Sequence, residues 1–534
     1  MIDSIATLPF QKTGYFTKII NDYLDEKKAI TPFYDQFPNI KGFEKQIQYK
    51  RESFSKGSRI VLATQLKKQY KNIEATKSTR QNLELLLKEN TFTVTTGHQL
   101  NLFTGPLYFL YKIITAINLT KQLKKSFPDD NFIPVYWMAT EDHDFEEIQF
   151  FNYKNSKIKW QRDSKGAVGE LSTDGLEKVF KEFSSLLGKG TNAKYLEHLF
   201  QQSYLKHDNL TDATRYLANE LFGDYGLVII DGNDKILKTE FAPYVKEELL
   251  YQTSFKEITK TNSLLKEHYK IQVNPREINL FYLKENLRER IIYEGNSYRI
   301  NNTDLKFSKE EILKELDISP ERFSPNVLTR PLYEEVILPN LCYIGGGGEL
   351  AYWFELKSYF EKVNIPFPIL LLRNSVLLIN KKENKKLNKL EVSLDEIFLK
   401  QNDFINKKVR EYSDIEIDFT QQKIQLKEIF KEIELISHCT DRSFLGAVKA
   451  QEKKQLNGMD HLEKRLLKAQ KRKLQEIVDR ISVLHNELFP NEGLQERVAN
   501  FSEFYKTNGK DLIIKLVDHL DPLKLEFTVL QMDH

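Results

Sequence analysis

The sequence predicts an α/β protein: a Rossmann-like parallel-sheet core with connecting insertions, plus a long α-helical antiparallel coiled-coil hairpin. Three observations carry this. The stretches TFTVTTG (91–97) and NFIPVYWMAT (131–140) have strand patterns, and a long apolar helical pattern, 105–125, separates them. The segment 381–490 is rich in Lys, Glu, Gln, Leu and Ile and holds no proline before Pro490. A length of 534 residues allows about two to four domains.

The first part of the core occupies 1–150. Residues 79–90 (TRQNLELLLKEN) have apolar positions at helical spacing. Pro106 stands where a first helical turn tolerates it. The second strand shows no polar alternation, as expected of a parallel sheet covered on both faces. Strand, loop, helix and strand make one βαβ unit, and ligands of such sheets bind at the carboxyl ends of the strands. TGHQLN (96–101) and TEDHDFEEI (140–148) both fall at those ends. Connecting insertions fill 151–330, with a returning core strand near 226–231. A hairpin-like stretch lies at 153–171, and a β-alternating stretch with a Gly-Asn turn at 281–302. The second part of the core, 331–380, contains NLCYIGGGGELAYWFEL. In the coiled-coil domain, 381–490, Leu462, Leu466, Ala469, Leu474, Ile477, Ile481, Leu484 and Leu488 recur at spacings near three and four. A break lies around 437–446, and the charge runs read as a solvated face. The C-terminal segment, 491–534, is expected to dock on the core.

Composition narrows the function. A net charge of +3 gives no polyanion footprint, so nucleic acid is not implied. No apolar run reaches membrane-span length, and the first residues lack the pattern of a signal peptide. Two cysteines exclude a disulfide framework and a Cys-rich zinc site; Cys342 reads as a small buried hydrophobe. The chain reads as cytoplasmic.

The chemistry-bearing residues lie at the strand ends. Asp142, His143 and Asp144 crowd one turn with Glu141. Such groups can hold Mg²⁺ near phosphates, bind an amine or ribose, or act as a general base. Helix capping by Asp144, with Glu147 three residues on, is the alternative. His98 could hydrogen-bond a phosphate, alongside Thr96, Gly97, Gln99 and Asn101 of the same loop. Gly345, Gly346, Gly347 and Gly348, continued by Glu349 and Tyr352, form either an anion cradle or a plain tight turn. The motif lacks the GK[ST] ending of a P-loop. Arg330, before Pro331, could grip a carboxylate with both arms or make a surface ion pair. No metal-ligand signature appears.

The stretches TTGHQLNLFTGPLYFLYKIITAI, PVYWMATEDHDFEEI, FSPNVLTRPLYEEVILPNLCYIGGGGELAYW and LFPNEGLQER, in this order, resemble the cysteine-adding enzymes of bacillithiol biosynthesis. The resemblance covers nearly the whole chain. It implies a core similar to nucleotidylyltransferase-like ligases and class I aminoacyl-tRNA synthetases, and a homodimer through the coiled coil. It implies a ligase joining L-cysteine to glucosaminyl-malate, with ATP or ADP, and Mg²⁺, as expected cofactors. Gly97-His98-Gln99 lies where the related ligases carry a phosphate-contacting His-x-Gly-His loop. The family pattern is Gly-Gln-Gln, a small residue and Gly; here His98 replaces the first Gln and Asn101 the later Gly. No Lys-Met-Ser-Lys-Ser loop is present. On this reading His98, Asp142, His143 and Asp144 are catalytic candidates, and Arg330 pairs with a carboxylate such as that of malate. Two other readings stay open: a nucleotidylyltransferase acting on another small acceptor, and a nucleotide-binding coiled-coil assembly module.

Overall fold

The structure, a computed structural model, describes residues 5–154, 156–440 and 442–532. It forms two compact units. One holds the residues up to 381 together with those from 495 onward, and the other holds 382–494.

The first unit is built on a five-stranded sheet. Its strands are β1 (Thr91–His98), β2 (Asn131–Met138), β3 (Val228–Asp231), β4 (Asn340–Gly345) and β5 (Ile369–Leu372), in the order β5-β4-β1-β2-β3. Every pairing is parallel. All eight residues of β1 are buried, because helices cover both faces; this is why the strand is an unbroken run with no polar alternation. Phe92 and Val94 pack with Ala116, Leu119, Ile344 and Ile369. Cys342 is buried in the same core. The chain runs outward from β1 through β2 to β3, then crosses back to lay β4 and β5 on the other side. The strand order therefore reverses between β1 and β4. At such a reversal the flanking connections diverge to opposite faces and open a crevice at the carboxyl ends.

Helix α1 (Tyr108–Ser126) links β1 to β2 and is buried along most of its length. It begins three residues later than the sequence pattern suggests. Before it, Phe103, Thr104 and Gly105 adopt φ of 46°, 69° and 62°. Asn500 holds that left-handed stretch by donating to the carbonyls of Phe103 (2.8 Å) and Gly105 (2.6 Å). Helix α2 (Lys235–Tyr251) follows β3 and is capped by Asp234, which accepts from two N–H groups. Helix α3 (Arg330–Ile337) precedes β4, and α4 (Gly347–Trp353) follows it.

The insertions carry a hairpin, Phe150–Tyr153 with Ser156–Lys159, and a second sheet made of Leu280–Lys284, Leu287–Glu294, Ser297–Ile300, Lys306–Phe307 and Phe323–Pro325. Its Gly295-Asn296 turn has positive φ at both residues, as a two-residue hairpin requires. Val376–Asn380 leaves the core sheet. It pairs parallel with Glu526–Met532, which pairs antiparallel with Ile5–Pro9.

In the second unit, α5 (Thr420–Ser437) and α6 (Arg442–Lys473) form a hairpin. Lys423 pairs with Asp460 and Glu463, while Glu434 pairs with Lys449, so the two helices run antiparallel. Leu474, with φ −102° and ψ 30°, separates α6 from α7 (Gln475–Leu488). Ile424, Ile429, Leu435, Ile436 and Leu462 of the hairpin are exposed. Among the described residues no helix is long and apolar enough to cross a membrane.

Candidate active site

Where β1 and β4 end side by side, Lys112 ties them together. It is the only charged residue in the apolar first half of α1, and it is buried. Its ammonium donates to the Gly97 carbonyl (2.6 Å) at the end of β1 and pairs with Glu349 Oε2 (2.6 Å) at the start of α4. Glu349 also accepts from the Gly346 N–H (2.8 Å) and the Tyr343 hydroxyl (2.9 Å). Burial would raise its carboxyl, but Lys112 and these two donors hold it below the usual range. Burial lowers Lys112, and Glu349 offsets only part of that. Gly97 leaves little room for a side chain: a Cβ would lie 3.1 Å from the Tyr343 hydroxyl.

Two arginines face this junction. Arg373, just after β5, is buried. Its Nη2 pairs with Glu496 (2.7 Å), and its Nη1 donates to the Asn374 carbonyl and Ser375 Oγ. Its Nε has no hydrogen-bond partner among the described residues and lies 3.7 Å from where a Cβ on Gly346 would sit. Arg330, at the first position of α3, pairs with Glu334, between the rings of Trp137 and Tyr343. Its Nη2 is buried without a hydrogen-bond partner among the described residues. Burial pushes the Glu334 carboxyl up to about 7, against the pull of Arg330. Tyr352 lies beside Arg330, Glu349 and Tyr343, and burial raises its hydroxyl.

His98 turns under this cluster, packed on the rings of Tyr108 and Phe109. Burial first, then the positive charges of Lys112 and Arg373, push its imidazole far down. It is therefore neutral at ordinary pH, and its Nε2 has no partner among the described residues. A buried neutral imidazole at this place can hydrogen-bond an anion without adding a charge. Thr96 is spent on structure, donating to the Ile344 carbonyl (2.9 Å).

The second polar loop meets the first, as the strand ends predict. Gln99 donates to Asp142 Oδ2 (2.9 Å) and Glu147 Oε2 (2.8 Å), and Asn101 donates to the Glu147 carbonyl (3.1 Å). Asp142 Oδ1 accepts from the N–H groups of His143 (2.7 Å) and Asp144 (3.4 Å). Burial would raise Asp142, but Gln99, Arg288 and those amides hold it down. Asp144 caps the turn Phe145–Ile148 through the Glu147 N–H. His143 is half exposed and receives a hydrogen bond at Nδ1 from Arg288 (2.7 Å). His98 and His143 thus face different surroundings. Among the described residues no three His, Cys, Asp or Glu side chains are gathered to hold a metal.

Sequence reasoning overlooked Lys112, Arg373 and Arg288. The first two carry a signal, a lone charge inside an apolar run (PLYFLYKIITAI and ILLLRNSVLLI). Arg288 carries none, sitting in a charged strand 145 residues from His143.

The family described as "Bacillithiol biosynthesis BshC, N-terminal Rossmann-like domain" matches residues 4–374, and the corresponding C-terminal coiled-coil domain matches 376–532. Relatives bearing the name "Putative cysteine ligase BshC" include one from Flavobacterium johnsoniae, 57% identical over 98% of this chain and 99% of the relative. One from Christiangramia forsetii is 57% identical over 98% of each chain. A more distant one, from Cytophaga hutchinsonii, is 38% identical over 97% of each. With both domains matched in order and the identity running the full length, the chain belongs to the BshC family of bacillithiol biosynthesis.

Proposed function

We propose that this protein is a cytoplasmic ligase that joins the carboxyl group of L-cysteine to the amine of glucosaminyl-malate, with nucleotide-dependent activation of the carboxylate. Amide formation releases water and does not proceed from a free carboxylate at neutral pH. ATP would supply the activation by adenylyl or phosphoryl transfer to the carboxylate oxygen. The chain's own task is then positioning and charge stabilisation.

The observation that carries this reading is the junction of β1 and β4. Three cations, Lys112, Arg330 and Arg373, converge there, and two of them keep a buried N–H without a partner among the described residues. Such donors fit an anionic oxygen. The loop Gly97–Asn101, the turn Gly345–Gly348, Arg373 and His98 would hold phosphate or carboxylate oxygens, and Arg330 a carboxylate of malate. Asp142 and Asp144 would orient an ammonium. Mg²⁺ would be brought by the phosphate oxygens of the nucleotide, since no side-chain cage is gathered among the described residues. The exposed apolar residues of the α5–α6 hairpin, Leu435 and Ile436 above all, support a homodimer, which light scattering tests.

The decisive experiment incubates the pure protein with L-cysteine, glucosaminyl-malate and Mg-ATP and follows products by mass spectrometry. Thiol product with AMP and pyrophosphate supports an adenylate route, and product with ADP an acyl phosphate. Nucleotide turnover without thiol product would point to transfer onto another acceptor. Neither product nor turnover would overturn the proposal.

A further inference from the structure

The contact between Arg288 and His143 constrains the chemistry of that histidine. Arg288 belongs to the insertion strand Leu287–Glu294, outside the core sheet. It is held on several sides: Nε donates to Ser324 Oγ (3.3 Å), Nη2 to the Pro325 carbonyl (3.3 Å), and the guanidinium lies 4.0 Å over the Phe281 ring. The remaining arm, Nη1, stands 2.7 Å from His143 Nδ1. A guanidinium has only donors and stays charged. A nitrogen at hydrogen-bond distance from it must offer a lone pair, so Nδ1 carries no proton. The single proton of the neutral ring then lies on Nε2. Nε2 makes no hydrogen bond to the protein among the described residues, and the side chain is 49% exposed.

The neighbouring acids do not reverse this. Asp142 Oδ1 lies 3.7 Å from Nδ1, but it is engaged by the backbone N–H groups of His143 and Asp144, and Oδ2 by Gln99. Asp142 therefore shapes the turn and does not pair with the imidazole as a base-orienting carboxylate would. The groups facing the ring are Arg288, Asp142, Asp144 and Glu289. Burial and Arg288 lower its proton affinity, the three acids raise it, and the balance is downward.

We propose that Arg288 is a positioning residue that fixes His143 as a neutral imidazole protonated at Nε2, so that His143 serves ligation as a hydrogen-bond donor to a substrate oxygen rather than as a base. The role in ligation rests on reading this sheet edge as the ligase site; the tautomer does not.

The test is NMR of the full chain carrying ¹⁵N-labelled histidine, with the His143 signals identified by their loss in His143→Gln. The wild type should show an unprotonated Nδ1 and a protonated Nε2, and titrate below the ordinary histidine value of about 6.5. Arg288→Gln should bring titration back toward about 6.5 with mixed tautomers. It should also lower kcat about tenfold to a hundredfold, with KM little changed, and give the kcat–pH profile a new limb. Arg288→Lys should restore much of both. Thermal unfolding checks the fold; if Arg288→Gln fails to fold, the wild-type tautomer and Arg288→Lys decide. A proton on Nδ1 in the wild type, titration there near 6.5, or signals unmoved in a folded Arg288→Gln would overturn the proposal. If the wild type ligates nothing, the ligase reading fails, and the spectrum still decides whether Arg288 fixes the ring.

Discussion

Glu334 and Glu335 are neighbours on α3, both without solvent exposure, and each pairs with a cation. Their surroundings differ in completeness. Glu335 Oε2 accepts from Lys50 (2.8 Å) and Oε1 from Asn340 (2.6 Å), whose own Oδ1 accepts from Thr95 (2.9 Å) and Thr93 (3.3 Å). On the adjacent residue, Glu334 Oε1 is buried with no hydrogen-bond partner among the described residues, and so is Nη2 of Arg330, with which Glu334 pairs. A closed polar network holds a fold together, whereas an open one of the same charge leaves donors for something else to meet. Burial alone therefore does not distinguish the two pairs; the number of satisfied atoms does.

The contrast can be broken by substitution, and the largest effect belongs to the closed side. Lys50→Met leaves Glu335 buried and unpaired, which costs about 3–5 kcal/mol, measured by urea unfolding. The remaining folded molecules should ligate normally. On the open side, Arg330→Met should lower kcat/KM about a hundredfold while stability falls by only about 1–2 kcal/mol. The smaller loss is expected because the Glu334 carboxyl, already at about 7, can take a proton and shed its charge. Equal destabilisation by the two substitutions would remove the distinction.

Unfolding measured across pH sharpens it further. The Glu334 carboxyl is raised in the fold to about 7, so the folded chain binds the extra proton. Stability contributed there is full below the unfolded value of about 4.3 and is lost as pH rises toward 7. His98 is depressed in the fold, so the unfolded chain binds its proton first. Stability falls as pH drops below about 6.5, at up to about 1.4 kcal/mol per pH unit. Glu334→Gln should flatten the first slope and His98→Gln the second. The smallest effect on stability belongs to Asp144→Ala. A lost cap costs about 1 kcal/mol, while ligation should fall more than about tenfold if the carboxylate orients an ammonium; a smaller loss would leave Asp144 a cap only.

The sheet was legible because a strand buried on both faces must be an apolar or β-branched run, and β1 and β2 are such runs. The convergence of Gln99 with Asp142 was legible because adjacent parallel strands place successive loops at one edge. What stayed hidden came from distance along the chain. Arg288 reaches His143 across 145 residues, and Asn500 sets the backbone before α1 across nearly 400. Neither leaves a local pattern. Lys112 was hidden differently: in a helix buried on nearly all sides, one lysine looks like an accident until its partner is seen.

The Arg373–Glu496 pair spans 123 residues, and the whole helical unit is translated between them. On the ribosome, Arg373 emerges long before the carboxylate that fixes it, and the strand Glu526–Met532 that closes the sheet beside Val376–Asn380 comes later still. A nascent chain released before Glu496 would carry the five core strands but lack the carboxylate that anchors Arg373.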